Sequence, residues 1–242
     1  MERSFIDGWR GRIGLVATAP GNAAEADFNR YRPEGVAVMT TRTPLTSSTP
    51  EGIREMNRLV EDAVRMLADN AYCDVVLCSS TAGSFMEGRE ADDALARRLS
   101  GELGCRVITS AQCMLAALAA VGASSVTLIT PSSAALNLAE RAYLEKAGIT
   151  VAAEGGFLLS SPRDILCVPP GEAAQLARRV DSPKAQAVLI SCSGLHMLEE
   201  IEELEQALGK PVLASNQFGL WGALRAMGLE DRIPGLGSLW QH

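Results

Sequence analysis

The chain has 242 residues, of which 47% are hydrophobic, and carries a formal net charge of −7. This length can bury a large core, either as one long domain or as two compact halves. The excess of acidic residues argues against nucleic acid or an anionic membrane as a partner. No apolar run approaches the roughly 20 residues that span a bilayer, and the N-terminus has no signal-peptide pattern. We therefore expect a cytoplasmic protein with reduced thiols and no membrane partner.

The cysteines and histidines do not form a metal-binding pattern. No two cysteines have CxxC spacing, and only His196 and His242 could add imidazole ligands. The cysteines are Cys73, Cys78, Cys105, Cys113, Cys167 and Cys192. We expect no metal site, because zinc centres need closely spaced pairs of such ligands.

In the first half of the chain, predicted strands alternate with predicted helices. In chain order these are a strand over 13–18, a loop, a possible strand over 36–39, a helix over 50–67, a strand ending at 78, a helix over 91–103, a strand over 106–109 and a helix over 112–121. Thr49-Pro50-Glu51 has the residues of a helix start: an N-cap, a first-turn proline and an acid that matches the helix dipole.

The second half repeats this alternation. It contains a strand over 126–130, a helix over 135–146, a strand over 149–152, a helix over 172–180, a strand over 187–190, a helix over 195–208, a strand over 211–214 and a helix over 218–227. Strand-length apolar runs separated by helical segments are typical of βαβ units around a parallel sheet.

Matching positions in the two halves indicate an internal duplication. Leu128 follows Leu15 by 113 residues, and Cys192 follows Cys78 by 114. A nearly constant offset predicts two similar α/β subdomains with parallel sheets, related by pseudo-twofold symmetry. We divide them as residues 1–122 and 123–242, with the C-terminal helix able to pack back onto the first.

Two cysteines stand where ligands of parallel sheets usually bind. Cys78 and Cys192 each lie where a short apolar run gives way to small polar residues. Ligands of such sheets collect at the carboxyl ends of the strands. If the two halves face each other, we expect both thiols to meet across one cleft.

Several short segments, in a fixed order, carry a resemblance to a known family. They are Arg12-Ile13-Gly14-Leu15-Val16, Pro20-Gly21-Asn22, Thr49-Pro50-Glu51-Gly52, the Cys78 loop, Leu128-Ile129-Thr130-Pro131, Ser191-Cys192-Ser193-Gly194-Leu195, Gly209-Lys210-Pro211-Val212 and Ser215-Asn216-Gln217. Over nearly its whole length the chain resembles the aspartate/glutamate racemase superfamily. The nearest branch is that of maleate cis-trans isomerases, arylmalonate decarboxylases and ectoine-utilisation proteins. The resemblance implies an active site in the cleft between the two subdomains.

The resemblance also implies a mechanism, because family isomerases and racemases use one cysteine from each half and no cofactor. As a maleate isomerase, the enzyme would add the Cys78 thiolate to the alkene, and Cys192 would supply and recover a proton. As an amino-acid racemase, it would place the two thiols on opposite faces of an α-carbon. A non-catalytic protein that binds a small acid is a further alternative.

Decarboxylation of aryl- or alkylmalonates is a less favoured alternative, because those enzymes resemble the chain around Cys192 but carry glycine in place of Cys78. The isomerase pattern is incomplete as well. Its tyrosine after Thr-Pro is Ser132, and Ser160-Ser161-Pro162 stands where an isomerase asparagine would fall. Maleate is therefore the leading substrate rather than an assured one.

The predicted substrate contacts follow the strand ends. The substrate is expected to be a small carboxylate, and Asn22 matches the family asparagine that holds it. The other candidates are Ser79, Ser80, Thr81, Ser132, Ser133, Ser193 and Gly194, whose backbone and hydroxyl donors could bind carboxylate oxygens. Arg42 is a weaker candidate, and we expect His196 to orient its loop rather than to act as a base. We expect a homodimer or homotetramer.

Overall fold

The structure is a computed structural model that describes residues 5–242. Its first half contains one parallel sheet and the helices around it. The elements are β1 (Gly11–Thr18), α1 (Ala23–Tyr31), β2 (Val36–Thr43), α2 (Pro50–Asn57), α3 (Val60–Arg65), a π-helical turn (Met66–Asn70), β3 (Val75–Cys78), α4 (Thr81–Met86), α5 (Arg89–Leu103), β4 (Arg106–Thr109) and α6 (Ser110–Ala120).

The second half repeats the arrangement and adds the C-terminal elements. They are β5 (Ser125–Thr130), α7 (Ala134–Lys146), β6 (Thr150–Gly156), α8 (Pro162–Leu166), α9 (Glu172–Val180), β7 (Ala187–Ile190), a 3₁₀ turn (Leu198–Glu200), α10 (Ile201–Leu208), β8 (Val212–Ala214), α11 (Ser215–Ala226) and a final 3₁₀ turn (Ser238–Gln241).

The eight strands form two sheets with the same topology. Their orders are β2-β1-β3-β4 and β6-β5-β7-β8, and every pairing is parallel. All residues of β3 and β7 are buried, as expected for apolar strands covered on both faces. The predicted α/β fold with two similar parallel sheets is confirmed.

The strand register defines which residues of the two halves are equivalent. Ile13 on β1 lies beside Val75 on β3, and Val126 on β5 lies beside Ala187 on β7. The offset between halves is therefore 113 residues at the first pair of strands and 112 at the second. Applied to the strand ends, this register makes Ser80 the counterpart of Cys192. The sequence alignment of Cys78 with Cys192 is corrected by two residues.

Several elements differ from the sequence prediction. Helices α1, α4 and α8 were not predicted, because each is short and its apolar positions are few. The predicted helix over 195–208 begins only at Ile201, after a loop and a 3₁₀ turn. The loop that follows β7 therefore keeps backbone N–H groups outside any helix.

Helix α11 belongs to the second half in sequence but packs against α1, α6 and β3 of the first. Its glycines allow this close approach. A Cβ atom on Gly219 would lie 3.1 Å from Leu77 Cδ2, and one on Gly222 would lie 2.5 Å from Cys113 Sγ. One hydrophobic core consequently extends through both sheets.

Two further features concern the described residues as a whole. None of their helices combines the length and apolar character that a membrane span requires. Within 5–242, no three histidine, cysteine, aspartate or glutamate side chains come together where they could hold a metal ion.

The α6–α11 contact gives a stability prediction. We expect Gly222→Ala to lower the free energy of unfolding by about 1 kcal/mol, because overpacking against Cys113 costs about 1–3 kcal/mol and outweighs the roughly 1 kcal/mol helix-propensity gain. Gly101→Ala is the matched control: it lies in α5 with open space around the new methyl group and should stabilise. Urea unfolding measures both, and equal stabilisation by the two substitutions would contradict the close packing.

Candidate active site

An open cleft lies between the two halves. The first half contributes the turn after β1 and the start of α4. The second half contributes α7, α8 and the loop after β7. The polar residues that line the cleft are Thr18, Ser48, Ser80, Thr81, Ser132, Glu140, Ser191, Cys192 and Ser193. A ligand in this cleft would touch both halves of the chain.

Cys192 lies in this cleft, in the loop just after β7. The backbone N–H of Gly194 donates a hydrogen bond to its Sγ atom at 3.3 Å. Burial raises the pKa of the Cys192 thiol to about 11, although the N–H groups of Gly194 and Leu195 act in the opposite direction. The resting group is therefore a thiol at neutral pH, with donors in place to stabilise the thiolate when it forms.

Cys78 does not lie in this cleft. Successive side chains of a strand point to opposite faces, so Leu77 packs into the core that both halves share, whereas Cys78 packs on the other face of the sheet with Val16 and Val107. Cys78 lines a second cavity together with Asp92. The expectation that the two thiols meet across one cleft is corrected.

The environment of Cys78 disfavours ionisation. Burial, with a smaller contribution from nearby Asp92, raises the pKa of the Cys78 thiol to about 12. Burial also raises the pKa of Asp92 to about 7, and its carboxyl group accepts a hydrogen bond from Thr109 Oγ1 at 2.5 Å. Both effects oppose the thiolate, so the thiol form of Cys78 is strongly favoured.

Ser80 occupies the position in the first half that corresponds to Cys192. It is the N-cap of α4, where its Oγ accepts a hydrogen bond from Gly83 N at 3.1 Å, and it lines both cavities. The next residue, Thr81, lines the cleft and shares a 3.0 Å hydrogen bond with Ser215 of α11. The first half therefore contributes hydroxyl groups where a second thiol was expected.

The remaining predicted contacts divide into two groups. Ser132, Ser193 and Gly194 line the cleft, as do Ser80 and Thr81. Asn22, Ser79 and Ser133 are not among the described lining residues but adjoin Gly21, Ser80 and Ser132, which are, so their contact with the substrate stays a prediction.

Each of the three has a different position. Asn22 is the exposed N-cap of α1, and its side chain makes no capping hydrogen bond. The carbonyl of buried Ser79 accepts a hydrogen bond from Ser193 Oγ at 3.3 Å. Ser133 Oγ donates to the carbonyl of Ser48 at 3.1 Å. The last two contacts join the halves through Ser48 and Ser193, which line the cleft.

Arg42 and His196 also lie outside the lining. The Arg42 guanidinium pairs with Glu25 and donates to the carbonyl of Gly21, so it supports the turn after β1. His196 is exposed on the loop after Cys192.

A buried polar network supports the Cys192 loop. Asn216 Nδ2 on α11 donates to Asp27 on α1 at 2.7 Å and to the carbonyl of Ser193 at 3.3 Å. Burial raises the pKa of Asp27 to about 6, and the bond from Asn216 opposes that shift. The loop is thereby tied to helices of both halves.

The sequence analysis missed several lining residues, of which Glu140 is the most unusual. It is 2% exposed, and burial raises the pKa of its carboxyl group to about 8. Helical spacing could have identified it, because it lies four residues from both Leu136 and Leu144 on the buried face of α7. The other residues missed are Thr18, Ser48, Ser191 and the α8 residues Pro162, Ile165 and Leu166.

No arginine, lysine or histidine is among the described residues that line the cleft, so a bound anion would be held without a fixed positive charge. Hydroxyl and backbone N–H groups are the available donors, and Cys192 is the lining residue that can act as a nucleophile or carry a proton to carbon. Such a site can hold a small carboxylic acid and perform addition or proton transfer at one of its carbon atoms.

Comparisons with known proteins agree with this geometry. The model of the arylmalonate decarboxylase family matches residues 13–240. A maleate isomerase of Nocardia farcinica is 28% identical over 238 residues, 94% of each chain. An arylmalonate decarboxylase of Bordetella bronchiseptica is 29% identical over 241 residues, 95% of this chain and 96% of the other.

A solved structure shows the same architecture. It is a cysteine-to-serine variant of the Nocardia farcinica maleate isomerase with a covalently bound succinylcysteine intermediate. Its TM-score is 0.89 at 26% identity, covering 95% of this chain and 98% of that one. The predicted resemblance is confirmed, and these relatives are isomerases and decarboxylases. The chain is an enzyme that belongs to the arylmalonate decarboxylase family.

Proposed function

We propose that the enzyme is an isomerase of a small carboxylic acid, like its maleate isomerase relatives, and that Cys192 is its reacting thiol. The observation that carries this proposal is the position of Cys192 in a cleft lined by neutral hydrogen-bond donors. The succinylcysteine in the Nocardia farcinica relative is on a cysteine other than the one replaced in that variant, so it supports thiol addition to a four-carbon diacid, and the choice of Cys192 rests on the cleft. Maleate is therefore the substrate to test first.

The reaction requires only the thiolate and bound diacid. The Cys192 thiolate adds to one alkene carbon of maleate, and the π electron pair moves onto the neighbouring carbon and its carboxylate. The former double bond is now single and rotates. The electron pair then re-forms the double bond, the C–S bond breaks, and fumarate leaves with Cys192 again a thiolate. Hydroxyl groups such as those of Ser80 and Thr81 would stabilise the charge on the carboxylate oxygens.

The assignment of Cys192 predicts different effects for the two cysteines. We expect Cys192→Ala to lower kcat/KM for maleate isomerisation by at least about 10³-fold, because the nucleophile is removed. Cys78→Ala should keep kcat within a few-fold of the native value, because its side chain faces the second cavity. Proton NMR of fumarate formation measures both rates.

Two outcomes would contradict this assignment. Loss of activity in Cys78→Ala, with an unchanged far-UV spectrum and unfolding midpoint, would restore the two-thiol mechanism. Full activity in Cys192→Ala would exclude a thiol of the cleft from the reaction.

Decarboxylation of an aryl- or alkylmalonate is the second candidate. The argument against it depended on a thiol at position 78 in the active site, whereas Ser80, the first-half counterpart of Cys192, is the residue that lines the cleft. In this reaction the C–CO₂⁻ bond breaks, CO₂ leaves, and its bonding electrons remain on the α-carbon as an enediolate. The Cys192 thiol protonates that carbon, and water restores the proton to sulfur.

The pH dependence of kcat separates the two reactions. Isomerisation needs the thiolate, so kcat should rise about tenfold per pH unit while the pH stays below the pKa of Cys192. Decarboxylation needs the thiol, so kcat should be level over the same range and fall only above that pKa. The measurement is proton NMR at saturating maleate and, separately, phenylmalonate from pH 7 to 9.5. If neither acid reacts in any buffer, maleate and phenylmalonate are not substrates and both proposed reactions are wrong.

A cytoplasmic location and a homodimer or homotetramer remain part of this proposal. All six cysteines are unpaired, which suits a reducing compartment. Sedimentation velocity of the purified chain tests the oligomeric state, and a monomer would overturn that part.

A further inference from the structure

Glu140 is a buried acid in the cleft that neither reaction uses. It extends from α7, is 2% exposed and lines the cavity beside Ser191. Its Oε1 atom and the Oγ atom of Ser191 form no hydrogen bond of good geometry within the part of the chain that the structure describes, although the Ser191 hydroxyl is near enough to lower the pKa of the Glu140 carboxyl group. A buried polar atom without a partner costs about 1–3 kcal/mol. The cavity is therefore the place where both atoms could gain one.

The surroundings of Glu140 keep its carboxyl group in the acid form. Leu136, Ile165 and Leu166 supply apolar lining around the cavity. The titratable groups that act on it are Cys192 and Glu154; Glu154 lies on β6 and forms an ion pair with Arg141. Neither contributes a positive charge toward Glu140. The Ser191 hydroxyl favours the ionised carboxylate, but burial outweighs it and favours the acid form.

The second buried polar residue of α7, Asn137, has a hydrogen-bond partner within the protein. Asn137 lies one turn before Glu140 and is also buried, but its Oδ1 accepts a hydrogen bond from Thr130 Oγ1 at 3.2 Å. The polar group of Asn137 is therefore satisfied within the protein. Glu140 instead keeps its Oε1 atom unpaired at the cavity wall, among the described residues.

We propose that Glu140 is a specificity-determining residue that contacts the substrate, and that its protonated carboxyl group donates a hydrogen bond to a carboxylate oxygen of the bound acid. The inference rests on the proposed function, since it requires a carboxylic acid in the cleft. It adds that one carboxylate of the bound diacid lies against Glu140 and Ser191. A neutral acid can donate to an anion in a site without cations, where an ionised one would repel it.

The test uses Glu140→Gln and Glu140→Leu. Glutamine keeps a hydrogen-bond donor and cannot ionise, whereas leucine has a similar size and no donor. Maleate affinity is measured by isothermal titration calorimetry in a Cys192→Ala background, so that turnover does not interfere. We expect Glu140→Leu to weaken maleate binding at least tenfold at pH 7 and Glu140→Gln to weaken it by no more than about threefold.

The pH dependence of maleate affinity distinguishes a substrate contact by Glu140 from a purely structural role. With Glu140 intact, maleate affinity should fall as the pH rises through about 8, because the group loses its donor proton and becomes an anion facing an anion. With glutamine, affinity should stay level from pH 6.5 to 9.5. Thermal unfolding should show both variants at least as stable as the parent, because each removes a buried acid.

The outcomes separate the two proposals. Equal maleate affinity in the parent and Glu140→Leu, or an unchanged pH dependence in Glu140→Gln, would overturn the role of Glu140 and leave the proposed function standing. Absence of binding by maleate and phenylmalonate to the parent at every pH would overturn both.

Discussion

Successive side chains of a β-strand point to opposite faces of its sheet, and this alternation decides which groups reach the cleft. On β3, Leu77 faces the shared core and Cys78 faces away from it. Two residues beyond the last residue of each central strand, the chain turns into the cleft and presents Ser80 in one half and Cys192 in the other. The halves are alike in backbone but differ at this point, where one supplies a hydroxyl and the other a thiol.

The electrostatics of the cleft follow from the burial of Cys192 and Glu140 among described lining residues that include no cationic side chain. Desolvation raises the pKa of Cys192 and of Glu140, because no positive charge compensates either anion. The site consequently holds its two titratable groups in neutral form and relies on hydroxyl and backbone donors for the substrate charge. Such preorganised neutral donors stabilise charge that develops on carboxylate oxygens when a thiolate adds to carbon or when CO₂ leaves.

Much of the fold could be predicted from the sequence. The buried strands are continuous apolar runs, and the helices between them have clear apolar spacing, so the two parallel sheets followed directly. The short helices α1, α4 and α8 lack that signal, because six to nine residues bury only a few side chains each and tertiary contacts stabilise them.

The candidate site was only partly predictable. Cys192, Ser80 and Thr81 were identified from their positions at strand ends. Cys78 was misplaced because a one-residue change of position on a strand reverses the face, and composition around the strand end does not give the register. The positions of Asn22 and Ser133 depend on the paths of their loops. The start of α1 sets the path at Asn22, and a hydrogen bond to the other half sets it at Ser133. Glu140 could be identified only from the structure, because the buried face of α7 borders a cavity there rather than a fully packed core.

A crystal structure of the enzyme with bound maleate tests the central claim most directly. The account predicts the diacid in the cleft between the halves, with Cys192 Sγ against an alkene carbon and Cys78 out of contact behind the sheet. Maleate bound against Cys78, or in the second cavity beside Asp92, would contradict it.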